Sequence, residues 1–199
     1  MTDSGVNKGR RRFLVGATTV VGAIGAVGVA VPFVASWQPS ARARAAGAPI
    51  KADISKLEPG QRMIVEWRGR PIWILNRTPE MIARTEALGA DRLADPDSRE
   101  PQQPDYADGP MRAIRPEIGV LIGICTHLGC SPLFKPDPDA EGVGVANWPG
   151  GFFCPCHGSR FDLAGRVFVN VPAPLNLEVP PYRFESDDVI VVGEDEETA

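Results

Sequence analysis

Cys125, His127, Cys130, Cys154, Cys156 and His157 are the only cysteines and histidines in the chain, and they fall within 33 of its 199 residues. They form two short mixed runs, Cys125-Thr126-His127-Leu128-Gly129-Cys130 and Cys154-Pro155-Cys156-His157-Gly158-Ser159. Thiolates and imidazoles ligate zinc, copper and iron, so a single metal site is the chemistry these residues point to. A Cys₂His₂ zinc site takes four ligands, and finger spacing puts both histidines together after both cysteines. Here each run holds two Cys and one His among Gly and Pro, and zinc leaves two thiols over. A lone disulfide beside incidental histidines explains neither the bunching nor the matched runs.

The pattern C-x-H followed by C-x-x-H resembles the ligand set of a Rieske 2Fe–2S centre, in which two thiolates hold one iron and two imidazoles the other. Cys125, His127, Cys154 and His157 match it. The chain resembles the Rieske iron–sulfur subunits of bacterial cytochrome bc complexes, the ubiquinol–cytochrome c reductases. The likeness extends to Val65-Glu66-Trp67-Arg68-Gly69 and to Pro172-Ala173-Pro174-Leu175-Asn176-Leu177. It implies one 2Fe–2S cluster on those four ligands and a Cys130–Cys156 disulfide joining the two loops. Four thiolates would leave an oxidised cluster at −2, whereas two neutral imidazoles bring it to zero and ease electron uptake.

The resemblance also implies roles for neighbouring residues. Ser159 is expected to donate a hydrogen bond to a cluster sulfur and raise the potential. Two residues on, high-potential relatives commonly carry Tyr; Phe161 has no hydroxyl, which implies a lower potential. Leu128 is expected as an exposed apolar tip that docks at the quinol site. Pro172 corresponds to a proline loop over the cluster, although Val171 stands where Gly is usual. The implied activity is oxidation of ubiquinol, with His157 (or His127) accepting a proton as one electron enters. The electron then passes to a membrane-bound c-type cytochrome after the head swings away from cytochrome b. The complex is expected to be dimeric.

These ligands need elements to hold them. Arg10-Arg11-Arg12-Phe13-Leu14 before a mild apolar run resembles a twin-arginine export signal. The uncharged stretch 13–37 is long enough to span a bilayer, and Lys8 with Arg10 to Arg12 favours a cytoplasmic N-terminus. Ala43-Arg44-Ala45 offers a cleavage site, yet the apolar run is longer than a normal signal core, so retention as an anchor is expected. Residues 1–12 are therefore read as cytoplasmic, 13–37 as a transmembrane anchor and 38–52 as a Pro-broken hinge. Residues 53–199 form a periplasmic domain with its cluster-binding part at about 121–178. The periplasm also suits a lasting disulfide.

Within that domain, 62–67 and 70–76 read as a hairpin around Arg68-Gly69. Thr78-Pro79 starts a helix running to Leu88. Residues 91–116 read as a surface excursion, 119–124 as a buried strand, and 160–163 with 166–170 as a second hairpin. Residues 182–185 and 189–192 make a third. Residues 135–151, with Asp137, Asp139 and Glu141, read as a surface insertion, and Glu194 to Glu197 as a solvated tail. The fold class expected is mainly β: a Rieske-type β-sandwich with an inserted small cluster-binding β subdomain, preceded by one N-terminal transmembrane helix. With 21 Gly and 20 Pro, the composition speaks against a helical bundle.

Residues 1–50 carry six Lys/Arg against one acid, and residues 51–199 carry 15 against 24. An acidic folded part offers no basic face to a phosphate backbone, which argues against nucleic acid as a partner. Ring-hydroxylating oxygenases need a facial triad at a second iron, and no histidine is left to build one. The remaining alternatives are a Rieske subunit of another exported complex, such as arsenite oxidase, or a stand-alone membrane-tethered electron carrier.

Overall fold

A computed structural model describes residue 5 and residues 7–195. Residues 1–4 and 6 of the expected cytoplasmic segment, and Glu196 and Glu197 of the expected acidic tail, lie outside the described residues. The chain divides into two compact units, residues 1–45 and 46–199.

The first unit is helical. Helix α1 spans Lys8–Ser36 and starts where the Asn7 side chain accepts the Arg10 N–H. Its 29 residues rise by about 43 Å at 1.5 Å each, enough to cross a hydrocarbon core, and none of them is buried. Pro32 lies inside it. Ser40 then caps a second helix, α2, Ala41–Ala46, by accepting the Ala43 N–H.

The second unit holds nine strands among the described residues, in three antiparallel sheets of three. The first sheet orders β1 (Ile50–Asp53), β9 (Val189–Val192) and β8 (Tyr182–Ser186). The second orders β2 (Arg62–Trp67), β3 (Arg70–Asn76) and β4 (Ile118–Ile122). The third, smaller sheet orders β5 (Leu133–Lys135), β6 (Gly151–Phe153) and β7 (Arg160–Phe161). One apolar cluster runs through all three, taking in Ala52 and Ile190, Ile72 to Leu75 and Val120 to Ile122, and Phe152 and Phe161. The architecture is thus mostly strands in small sheets preceded by one long apolar helix, as expected.

The β2–β3 and β8–β9 hairpins form as read. Helix α3, Pro79–Glu86, begins at the Thr78 cap but ends two residues short of Leu88. Strand β1 begins at Ile50, inside the residues 38–52 read as a hinge, because its backbone pairs with β9. The 160–170 hairpin is mostly a tight turn: beyond β7 the return arm holds bridges from Phe161 to Val167 and from Phe168 to Leu93.

Two readings need correction. Residues 91–116 are not a surface excursion throughout, since Leu93, Ala107, Met111 and Arg112 are buried. Ala94 donates to the Val167 carbonyl and Val169 to that of Arg92, which stitches the segment to the domain. Nor is 135–151 only a surface insertion. Val143 and Trp148 pack with Leu93 and Phe168 in a second core, where each fully buried apolar side chain contributes roughly 1.5–3 kcal/mol at most. Arg84, Arg92 and Arg160 each donate twice to backbone carbonyls between residues 136 and 149, so the segment is held by its backbone as well.

The turn after β7 is built around a buried carboxylate. Asp162 accepts from the Ala164 and Arg166 amides at 2.9 and 2.8 Å and from Arg166 Nε at 2.7 Å. Arg77 and Arg112, also buried, donate to the carbonyls of Leu163 and Ala164. Desolvation pulls both guanidinium pKa values down to about 10, with Asp162 opposing the shift, so both stay charged at neutral pH. Removing the Asp162 carboxylate strands a buried guanidinium. Asp162→Ala is therefore expected to cost about 3–5 kcal/mol in denaturant unfolding of the chain. Asp162→Asn, which keeps an acceptor for the two amides, is expected to cost less; an equal loss in both variants contradicts this account.

Candidate metal centre

Both ligand runs are tight loops built to one plan. In the first, the Cys125 N–H donates to the Cys130 carbonyl and the Gly129 N–H to the Cys125 carbonyl. In the second, the Cys154 N–H donates to the Ser159 carbonyl and the Gly158 N–H to the Cys154 carbonyl. The turns close because Gly129 and Gly158 sit at φ +85° and +78°, where a side chain is strained. A cysteine followed four residues later by glycine is thus the shared unit, which the sequence repeats 29 positions apart. Strand β4 feeds the first loop and β6 the second, with Cys125 three residues beyond the end of β4 and Cys154 immediately after β6.

Cys125 and Cys154 are free thiols, each 2% exposed. Burial pushes the Cys125 thiol pKa up, so a metal must displace a proton to bind there. The His127 and His157 rings meet edge to face, 4.7 Å between centroids. His157 is exposed and His127 half-buried. The Nδ1 atom of His127 is buried with no hydrogen-bond partner. A buried imidazole nitrogen without a partner is costly in an apolar setting and is what a metal bond would satisfy. The donor set, two buried thiols and two paired imidazoles, fits a 2Fe–2S cluster with unlike ligands on its two irons.

Cys130 and Cys156 are joined by a disulfide, which links the end of the first loop to the middle of the second. Sulfur atoms of Cys130, Cys154 and Cys156 lie within 4.8 Å of one another, so the bridge sits against a thiol of the expected ligand set. Ser159 is fully buried, and its hydroxyl accepts the Ala173 N–H at 3.0 Å. Phe161 is fully buried and pairs across the small sheet with Phe152. Leu128 is 72% exposed, and Pro172 is also exposed.

Sequence reasoning passed over Thr126. Its hydroxyl donates to the Leu175 carbonyl at 2.6 Å, while Ala173 is tied to Ser159, so the 172–175 segment is bound to both loops. Its place between two ligands was the available signal, since a hydroxyl in a closed loop needs a partner. The buried Arg77, Arg112 and Asp162 were missed as well, because nothing in a sequence marks a charge as buried.

A family profile described as "Rieske [2Fe-2S] domain" matches residues 93–182, and one described as "Ubiquitinol-cytochrome C reductase Fe-S subunit TAT signal" matches residues 1–40. The "Ubiquinol-cytochrome c reductase iron-sulfur subunit" of Allochromatium vinosum is 58% identical over 199 residues, covering 100% of this chain and 95% of that one. The protein of the same name from Blastochloris viridis is 45% identical, covering 92% of each. Among solved structures, "Hyperthermophilic respiratory Complex III" aligns with a TM-score of 0.47 at 26% identity, covering 90% of this chain and 98% of that one.

Denatured without reductant, the chain is expected to be alkylated at Cys125 and Cys154 alone, and at all four cysteines after reduction. Peptide mass spectrometry that finds Cys130 or Cys156 alkylated without reductant contradicts the cross-link.

Proposed function

The chain belongs to the Rieske iron–sulfur subunits of ubiquinol–cytochrome c reductase, and on that premise we propose how its own residues carry the reaction. The observation that carries the reading is a pair of buried free thiols together with a pair of imidazole rings, one of which has a buried nitrogen without a partner. Cys125 and Cys154 would hold one iron, and His127 and His157 the other. A 2Fe–2S cluster bound there supplies a one-electron acceptor, in the roughly −150 to +300 mV range that imidazole ligation allows.

His157 is the more exposed of the two rings, which supports its role as the group that accepts a hydrogen bond and then a proton from ubiquinol. Leu128 supplies an apolar anchor at the quinol site of cytochrome b. Ser159 donates to a cluster sulfur, its hydroxyl held in place by the Ala173 N–H. Phe161 has no hydroxyl to offer. The electron leaves to a membrane-bound c-type cytochrome. Residues 38–49, with Pro39, Gly47 and Pro49 flanking α2, act as the hinge for that transfer. The apolar α1 and the matched signal support a single-pass inner-membrane anchor with the strand domain in the periplasm. The complex is proposed to be a dimer.

Two experiments test this. In membranes whose only copy is the variant, Leu128→Glu is expected to keep the iron–sulfur centre and lower ubiquinol oxidation about ten-fold, the effect of losing roughly 1.4 kcal/mol of docking energy. Activity equal to the parent contradicts the docking role and favours a carrier that does not touch quinol. Phe161→Tyr is expected to raise the midpoint potential in a redox titration, because it restores a hydroxyl donor near a ligand thiolate. An unchanged or lower midpoint sinks that part of the account.

A further inference from the structure

Resting on the cluster-binding reading above, we propose that Trp73 is a positioning residue that sets the spacing of the two ligand loops. Trp73 lies on β3, the central strand of its sheet, and is 1% exposed. Its indole stacks on Phe152 with ring centroids 4.7 Å apart and planes 23° apart. Phe152 precedes the ligand Cys154 by two residues. The same indole fills the space beside Gly123, which precedes the ligand Cys125 by two residues. A Cβ at residue 123 would run into Cε2 and Nε1 and lie 2.7 Å from Cζ2. One rigid bicycle therefore touches both loops at the same distance along the chain from each buried thiol.

Strand pairing does not supply this reference for both loops. Strand β4, which feeds the first loop, is hydrogen-bonded to β3 itself. Strand β6, which feeds the second, pairs only with β5 and β7 in a separate sheet. Besides the Cys130–Cys156 disulfide, side-chain packing fixes the second loop against the first, and the Trp73–Phe152 stack joins the two sheets ahead of the ligands. The indole has little freedom to tilt. The Arg62 guanidinium lies over the indole, 4.5 Å from the Trp73 ring and 5.2 Å from that of Phe134, and Phe134 lies 5.5 Å from Phe152. A cation held against an aromatic face in a partly desolvated site adds to the packing.

Gly123 is thus explained by close approach rather than by a backbone turn, and its requirement comes from the size of residue 73. The test is a size exchange in the full-length chain, read in membranes by the rhombic paramagnetic resonance signal of the reduced protein and by redox titration. Gly123→Ala is expected to lower the signal about five-fold or more, as overpacking a closed core does. Adding Trp73→Phe removes the ring that the new methyl strikes and keeps a ring on Phe152. The double variant is expected to regain most of the signal, with a midpoint shifted from the parent. Trp73→Leu, which removes the stack, is expected to shift both the midpoint and the g-values. The proposal is overturned if Gly123→Ala matches the parent, if the double variant is no better than Gly123→Ala, or if Trp73→Leu titrates with parental midpoint and line shape. A parent chain that shows no rhombic signal at all would sink the cluster reading instead.

Discussion

The strand domain depends on how two loops hold the buried Cys125 and Cys154 thiols and the paired His127 and His157 rings. Both loops use the same backbone device, a cysteine whose amide and carbonyl are both bonded within the loop and a left-handed glycine that closes it. The disulfide between Cys130 and Cys156 then removes most of the freedom the two loops have relative to one another.

The remaining elements anchor that pair of loops at their ends. Strand β4 delivers the first loop from the middle of the fold. Asp162 and the three arginines around it hold the turn that follows the second, exchanging costly buried charges for a fixed backbone. Thr126 and Ser159 fasten the 172–175 segment across both. The 136–149 segment, clamped by Arg84, Arg92 and Arg160, braces the second loop from the side of its insertion. His127 Nδ1 is left as a buried polar atom without a partner, while the His157 ring and the apolar Leu128 are exposed.

The two Cys–His runs were legible as a metal site because their chemistry is local: Cys, His and Gly at short spacing mark such a site and show how the chain turns. The long hairpins were legible for a similar reason, since alternation and Arg68-Gly69 or Asp187-Asp188 turns sit within ten residues or so. Strands β5 and β6, three residues each, carry no periodicity to read, and β1 follows a run of small residues and Pro49 that looks like linker. Residues 91–116 and 135–151 misled for one reason. Their many Asp, Pro and Gly residues mark turns correctly but conceal the few apolar side chains, Leu93, Val143 and Trp148, that a distant Phe168 buries. The roles of Arg77, Arg112 and Arg166 depend on partners more than thirty residues away or on a buried turn, and composition alone reads them as surface charge.

The central claim is that one iron is held by two imidazoles and the other by two thiolates. Pulsed electron paramagnetic resonance on the reduced chain, grown with ¹⁵N-labelled histidine, tests it most directly. The account predicts two strongly coupled nitrogens, both changing to the ¹⁵N pattern on labelling, and loss of one in a chain that retains a cluster after substitution of His157. A reduced centre with no histidine nitrogen coupling, as an all-thiolate cluster using Cys130 or Cys156 would give, contradicts it.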